Sequence, residues 1–559
     1  MRFGKYRLFG YWLRFFRSIQ WFTARQVVFL VLHRVWLRKP PNYRSPEMAA
    51  TLHTQYFEEC GMYRIATQSD ALTLERLSAV LDTEVSVSHL TDLQVYELHY
   101  LSCLSVKPHA HALIDRLGWY WRWRAVFPPY TAVAWDPYPV SRRLLNLTMT
   151  KEQPGEGVGA LAAELEIHAR LIHRRLERHL GANHLLVNFC ALVVAGKILK
   201  SGLAPTFLEV GLHGLEREVK KQILPDGVHY ERSLFYHRLL LWDLLYVCYW
   251  LRDEIGAGEL GWLVAAVEIM MKAAVLVSHV DGTIPLFNDA SIESSPTLVE
   301  LQDAYKNVMG SRPIYSSTSY QEWLAFEEAG FVRMGSPDAT FSILVNLGFC
   351  APSHNPAHYH ADIGSYEVVL KQGRLITNLG TYTYQAGPER TFYRGTKSKN
   401  NLVINSKNSS DVWGAFRVGK RAEVDAQLSG SKISIKHSGF DGYLKDGFLT
   451  SRQIQFSDRV LGIVDRFNGK EPGDVISWIH FGPCVMVESL GENRFLLRLE
   501  NSQSLLTVSR CLEATMVSNM FSADFGCQQL TTSLQISAVT TSSGVREVAY
   551  DIKLDHTRA

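Results

Sequence analysis

His354-Asn355-Pro356-Ala357-His358-Tyr359-His360-Ala361-Asp362 puts three histidines and an aspartate within nine residues, and its flanks decide the fold. One apolar run, Phe341 to Leu347, precedes it, and another, Ile363 to Leu370, follows it. Short runs of this kind, bounded by turn residues, read as strands. An HxHxD cluster at the mouth of strands can bind a metal or move protons.

Working outward, the β character continues to the C-terminus. Ser342 to Leu347, Tyr366 to Leu370, Leu402 to Ile404, Lys432 to Ile435, Val460 to Val464 and Val475 to Ile479 all read as strands between Gly, Asn, Asp and Ser. Upstream of about residue 320 the period changes. Leu161 to Leu180, Leu185 to Leu199, Ser233 to Leu251 and Leu260 to Val280 carry apolar residues at helical spacing. Helices first and strands second argue for two segregated domains: helical hairpins in a toroid or solenoid, then a large sandwich. We place a basic aromatic arm at 1–44, a helical domain at 45–325 and a β-sandwich at 326–559.

Composition narrows the function classes. With 47% hydrophobic and 20% charged residues, the 559-residue chain is that of a folded globular protein. The net charge of +3 hides an asymmetry: residues 1–44 hold ten Lys/Arg and no acid, so the remainder is acidic. The sequence carries no recognisable nucleic-acid module, and nucleic-acid binding is not expected. The arm's apolar stretch, Gln20 to Trp36, is broken by Arg25 and Arg34, too short a clean run to span a bilayer. It reads either as a helix packed on the domain or as a peripheral membrane contact. No small-residue cleavage site follows a compact apolar core, which favours a cytoplasmic or membrane-peripheral location over a periplasmic one. Eight cysteines without CxxC pairs suggest buried thiols.

Four polar segments interrupt the scaffold. Trp135 to Asn146 is a loop entering a helix. In Gly181-Ala182-Asn183-His184-Leu185-Leu186, Asn183 either caps a helix or, with His184, meets an anionic group at the helix start. Pro225-Asp226-Gly227 is a turn, followed by a dense run from His229 to Arg238 that includes Glu231, Arg232 and Tyr236. A related turn runs from Asp281 to Asp289. The fourth is the histidine cluster with Asn378 to Tyr384 and Arg390 to Arg394 behind it, and His480 lies at a later strand end. Arginines and tyrosines beside histidines suit an anionic sugar. Arg232, Arg238, Arg390, Arg394 and Tyr384 are the expected substrate contacts.

Together these segments resemble the heparinase II/III family of polysaccharide lyases, over roughly residues 110–490. The carriers are Asn183-His184-Leu185-Leu186, Pro225 to His237, His358 to Leu370, Ile376 to Tyr384 and Val412 to Val424. The resemblance implies an (α/α) toroid packed on an antiparallel β-sandwich, with the active site between them. It implies β-elimination at a uronic acid of an acidic polysaccharide, in the making or turnover of a bacterial surface glycan. Asn183 and His184 match the pair that neutralises the uronate carboxylate, Tyr236 the acid that often also acts as base, and His358 the histidine lent by the sandwich. No cofactor is implied for the reaction itself.

A structural zinc is implied on His360, with partners at positions 378 and 480. Here the sequence departs from the pattern. The expected ligand aspartate is Asn378, and the histidine opening the strand at 399–405 is Lys399. An amide is a poor zinc ligand beside imidazole or carboxylate. Two other classes stay open: a glycoside hydrolase drawing on Glu231, Asp226 or Asp362, and a non-catalytic glycan-binding or assembly factor.

Overall fold

The computed structural model describes residues 90–105, 116–149, 158–311, 323–440, 450–468, 474–510, 512–540 and 545–554. It also describes 51–52, 67–83 and scattered positions between 14 and 64. Helices dominate up to Leu298–Met309 and strands from Leu324 onward.

The helical part is built from chain neighbours. Ala182–Ile198 and Ala204–Gln222 form a tight antiparallel hairpin. A methyl group on Gly214 would meet the Phe189 ring at 2.2 Å, and one on Gly211 would meet Val193 N at 2.8 Å, so the two axes approach where side chains are missing. Leu234–Trp250 is apolar on almost every face and lies inside the bundle. Ser233 caps it, its Oγ accepting from Tyr236 N at 3.3 Å and donating to Asp289 O at 2.6 Å. That cap seats Tyr236 in the first turn, at the end facing the strands.

Among the described residues, the paired strands of the strand-rich part are all antiparallel, with one isolated parallel bridge between Gly380 and Ser522. A five-stranded sheet spans Leu324–Phe326 to Gly373–Ile376 in chain order. A nine-stranded sheet, a four-stranded sheet and a small two-stranded sheet of Val412–Trp413 with Arg417–Val418 join it, the four-stranded one pairing Val475–His480 with Leu402–Ile404. Their inner faces share one apolar core containing Ile343, Val368, Ile463, Leu497, Ile536 and Ile552. Side chains alternate between the core and the outer face, as in Val460–Asn468, where odd and even positions differ in burial.

A separate apolar cluster joins the two parts. Leu234, Phe235, Leu276 and Val277 from the helices meet Phe331, Leu344, Leu379 and Phe521 from the strands. The irregular strap at 278–297 runs through this junction. Its His279 contacts Ser342 Oγ at 3.0 Å and Glu367 at 3.1 Å, and Leu286 N donates to the same carboxylate at 3.2 Å. Arg374 pairs with Glu367 at 2.8 Å, so this buried carboxylate is fully engaged and its pKa falls to about 2 although burial opposes that. The strap is thereby fixed, and Asp289 with it.

Most of residues 1–44 lie outside the described residues, and with them the expected membrane contact. Of the described positions, Arg14 pairs with Asp411 at 3.2 Å, and Ser18 Oγ donates to Val418 O at 3.1 Å. Among the described residues no helix is long and apolar enough to cross a membrane. Cys103, Cys190 and Cys248 are buried free thiols.

Candidate active site

Two walls face each other where the helices meet the strands. On the helical wall, the helix starting at Ala182 has no side-chain cap; Gly181 and Ala182 both take positive φ, at 65° and 49°. Asn183 therefore does not cap it, contrary to one of the two sequence readings. Its buried amide Nδ2 donates instead to Glu231 Oε2 at 2.8 Å. His184 stacks on Tyr138, ring centroids 4.1 Å apart, with Nδ1 3.3 Å from Glu177 Oε1. Burial works against charge on this ring, but Glu177, with Glu231 and Asp136 behind it, outweighs burial and raises the pKa. Glu177 is itself held by Asn188, whose Nδ2 donates to it at 3.2 Å.

Tyr236 is half-buried, and its hydroxyl lies 3.2 Å from that of Tyr384. Burial, with Tyr384 and Tyr138 adding to it, holds the phenol well above its usual range. At neutral pH this is a protonated group, a donor. The ring of His358 lies against it, centroids 4.1 Å apart, across the junction.

The sandwich wall is organised by one residue, Asp289. His358 Nδ1 contacts Asp289 Oδ2 at 2.9 Å, and His360 Nε2 contacts Oδ1 at 2.8 Å. Arg390 grips the same carboxylate with both terminal nitrogens, Nη2 reaching Oδ2 at 2.8 Å. Burial alone would favour the acid form of Asp289, but Arg390 and the two histidines hold its pKa well below the usual range. An ionised partner requires the hydrogen of His358 to sit on Nδ1. In the neutral ring Nε2 then carries the lone pair; it lies 3.8 Å from Glu231 Oε1 and beside the Tyr236 ring. Glu231 thus stands between the walls, bonded to Asn183 on one side and close to His358 on the other.

Several predicted roles need correction. The four arginines are spent inside the protein. Arg390 holds Asp289 and donates from Nε to Ala415 O at 2.8 Å. Arg394 donates to Tyr359 O at 3.0 and 3.2 Å. Arg238 donates to Ser278 Oγ and Gly282 O, each at 2.7 Å. Arg232 donates to Phe349 O at 2.8 Å and Glu328 O at 2.6 Å. Each guanidinium ties loops together; Arg238, Arg390 and Arg394 are buried in doing so, while Arg232 stays half-buried. Tyr384 keeps a place in the cleft, under the Arg390 guanidinium and beside Phe416 and Phe525.

The implied zinc ligands do not converge. His360 gives Nε2 to Asp289, and its Nδ1 is buried without a hydrogen bond among the described residues. Asn378 donates to Ser365 Oγ at 3.2 Å and accepts from Asn400 N at 3.0 Å. His480 contacts Ser533 Oγ at 2.7 Å through Nδ1 and Lys397 O at 3.0 Å through Nε2. A nitrogen bonded to a carbonyl carries its hydrogen and offers no lone pair. Among the described residues no group of three His, Cys, Asp or Glu side chains could hold a metal ion. The residues present do not fit a zinc.

Sequence reasoning left Asp289 without a role and offered Glu231 only to a hydrolase. The turn ending in Asn288-Asp289 was visible, but nothing local tied it to the histidines. His354 lies at the rim near Tyr230, ring centroids 6.0 Å apart, and Asp362 is buried behind the wall.

A helical part, a strand-rich part and the contact of His358 with Tyr236 at their junction make up a toroid-plus-sandwich architecture. The Heparinase II/III N-terminus model matches residues 131–315, and the Heparinase II/III-like, C-terminal model matches residues 321–550. The chain belongs to the heparinase II/III-like family. The heparin-sulfate lyase of Pedobacter heparinus is 24% identical over 226 residues, covering 37% of this chain and 33% of that protein. The heparin-sulfate lyase of Bacteroides thetaiotaomicron is 26% identical over 267 residues, covering 41% and 37%. The match thus spans about a third of the length of these curated relatives. The crystal structure of Heparinase III superposes with a TM-score of 0.67 at 14% identity, over 95% of this chain and 90% of that one. At that identity the likeness speaks for the fold alone.

Proposed function

We propose that the chain is a polysaccharide lyase that cleaves a uronic-acid-containing glycan by β-elimination. The observation that carries this reading is the face-to-face placement of His358, oriented by Asp289, and the protonated Tyr236 phenol. Elimination needs a base on one side of the sugar and an acid at the leaving oxygen.

The substrate carboxylate sits against the Asn183 amide, which keeps a second N–H beyond the one given to Glu231, and against the edge of His184, whose charged form Glu177 favours. Neutralising that carboxylate makes the adjacent C5–H more acidic and stabilises the enolate-like charge as it develops. His358 Nε2 takes the C5 proton, and the C–H electron pair becomes the C4–C5 double bond. The C4–O bond breaks, and the departing oxygen takes the Tyr236 proton.

The names of the relatives point to glycosaminoglycans of the heparin-sulfate type as the first substrates to test. Acidic bacterial surface glycans are the second. A hydrolase reading fares worse. Glu231 is bonded to Asn183, Asp226 accepts from Val228 N at 3.2 Å and Ala329 N at 2.7 Å, and Asp362 is buried. Incubation with a panel of uronate polymers, followed by ultraviolet absorbance of the unsaturated product, tests the proposal. New reducing ends without that absorbance would mean hydrolysis. Binding without either would mean a non-catalytic glycan protein.

A further inference from the structure

Behind His358 the sandwich wall buries three carboxylates, Asp289, Asp362 and Glu367. Two have full cationic partners: Arg390 for Asp289, and Arg374 for Glu367. Asp362 has no ion pair among the described residues; it accepts from Asn288 N at 3.3 Å. An uncompensated buried carboxylate is costly. The compensating charge comes from Lys399. This side chain is fully buried, and its Nζ makes no hydrogen bond among the described residues. Burial pulls its pKa down to about 8, and the charges that oppose this and favour the ammonium form are Asp362 first, then Asp289 and Glu367. On its other side it acts on His360, whose Nδ1 is also buried without a hydrogen bond among the described residues, and on His480.

The two departures from the zinc pattern are therefore coupled. A zinc dication with one aspartate ligand contributes a net charge of about +1 to the wall. The Lys399 ammonium with the neutral Asn378 amide contributes the same. Either change alone would leave the cluster one charge out of balance, in a place where water cannot screen it.

We propose that the Lys399 ammonium is the resident cation of the sandwich wall, standing in place of a metal ion and holding the His360–Asp289–His358 array without one. Lys399 acts as a positioning residue, since His360 and Asp289 lie between it and the cleft. The inference does not rest on the lyase reading, because metal content and thermal stability report it whatever the chain's activity.

The test uses the full chain, loaded with excess zinc, dialysed and measured for metal by elemental analysis, with melting temperatures taken with and without EDTA. Wild type is expected to retain no stoichiometric zinc and to melt at the same temperature with chelator. The double variant Lys399→His, Asn378→Asp is expected to retain about one zinc per chain and to gain a melting temperature that EDTA removes. Lys399→Met is expected to melt lower, with no recovery on adding zinc. That contrast separates a missing charge from a merely altered volume. If Lys399→Met does not fold, wild type and the double variant still decide. About one zinc retained per wild-type chain, a chelator-sensitive wild type, or a folded double variant that refuses zinc would each overturn the proposal. If the lyase reading alone is wrong, the metal results stand while the polymer panel stays silent.

Discussion

The two walls of the cleft are built on opposite principles. The helical wall displays its groups from the first turns of helices: Asn183 is the second residue of Ala182–Ile198, and Tyr236 the third of Leu234–Trp250. Each is placed by backbone geometry set within a few residues. The sandwich wall displays His358 from irregular chain between strands. Its position is set by a buried charge cluster whose other members lie 69 to 101 residues from Asp289 in sequence. A group held by a helix can be altered without disturbing the wall. A group held by a charge cluster cannot.

The largest effect should therefore come from Asp289. Asp289→Ala leaves the Arg390 guanidinium buried and unpaired and frees two histidines at once. Breaking a buried pair in this way costs about 3–5 kcal/mol. The melting temperature should fall sharply, together with any elimination activity. A variant that keeps its stability and loses only activity would mean that the wall does not depend on this cluster.

Tyr236→Phe is the contrasting change on the helical wall. It removes one hydroxyl whose hydrogen-bond partner, Tyr384, stays half-exposed. The expected loss is about 10²–10⁴-fold in kcat/KM, with the melting temperature within about a degree of wild type. If activity survives in Phe, His358 alone moves the proton and the two-wall mechanism fails.

The same contrast explains what could be read in the sequence. The strands at Tyr366–Leu370 and Leu402–Ile404 and the helix at Leu234–Trp250 follow from local period, and they stand where that period places them. Tyr236 entered the reading through the resemblance carried by Pro225 to His237, and in the structure the Ser233 cap, three residues before it, sets it in the first turn. Asn183 invited a capping reading that fails, because Gly181 and Ala182 turn the chain with positive φ and the amide is drawn to Glu231, 48 residues on. The arginines illustrate the harder case. Their number beside a histidine cluster suggested an anionic ligand, yet Arg390 is consumed by an aspartate 101 residues earlier, and Arg394 by backbone carbonyls. His480 likewise turns to Ser533, 53 residues on. Long-range pairing of charge has no local period, so composition announces such residues without telling which of them will be used up inside.

Arg394 offers a milder test on the sandwich wall. It is buried and bonded to carbonyls, and burial lowers its pKa to about 9. Arg394→Met should cost roughly 1–3 kcal/mol of stability by orphaning those carbonyls. KM for a uronate polymer should stay unchanged among the folded molecules. A raised KM at unchanged stability would return Arg394 to the substrate contacts.

The smallest effect is one of pH, on the helical wall. His184 is raised by Glu177 against the opposing effect of burial. The charged form therefore prevails at low pH and is lost as pH rises through the raised value. Substrate carboxylate binding, read as 1/KM, should fall along the same limb. Glu177→Gln removes the counter-charge while keeping an acceptor for Asn188. The ring then loses its proton at lower pH, and the alkaline fall in 1/KM moves to lower pH with kcat nearly unchanged. The stability that this pair adds, present below the unfolded pKa of histidine and lost above the folded one, should shrink in the acid range only. A limb that does not move when Glu177 is neutralised would mean that the charge on His184 plays no part in holding the substrate, and that Asn183 alone meets the carboxylate.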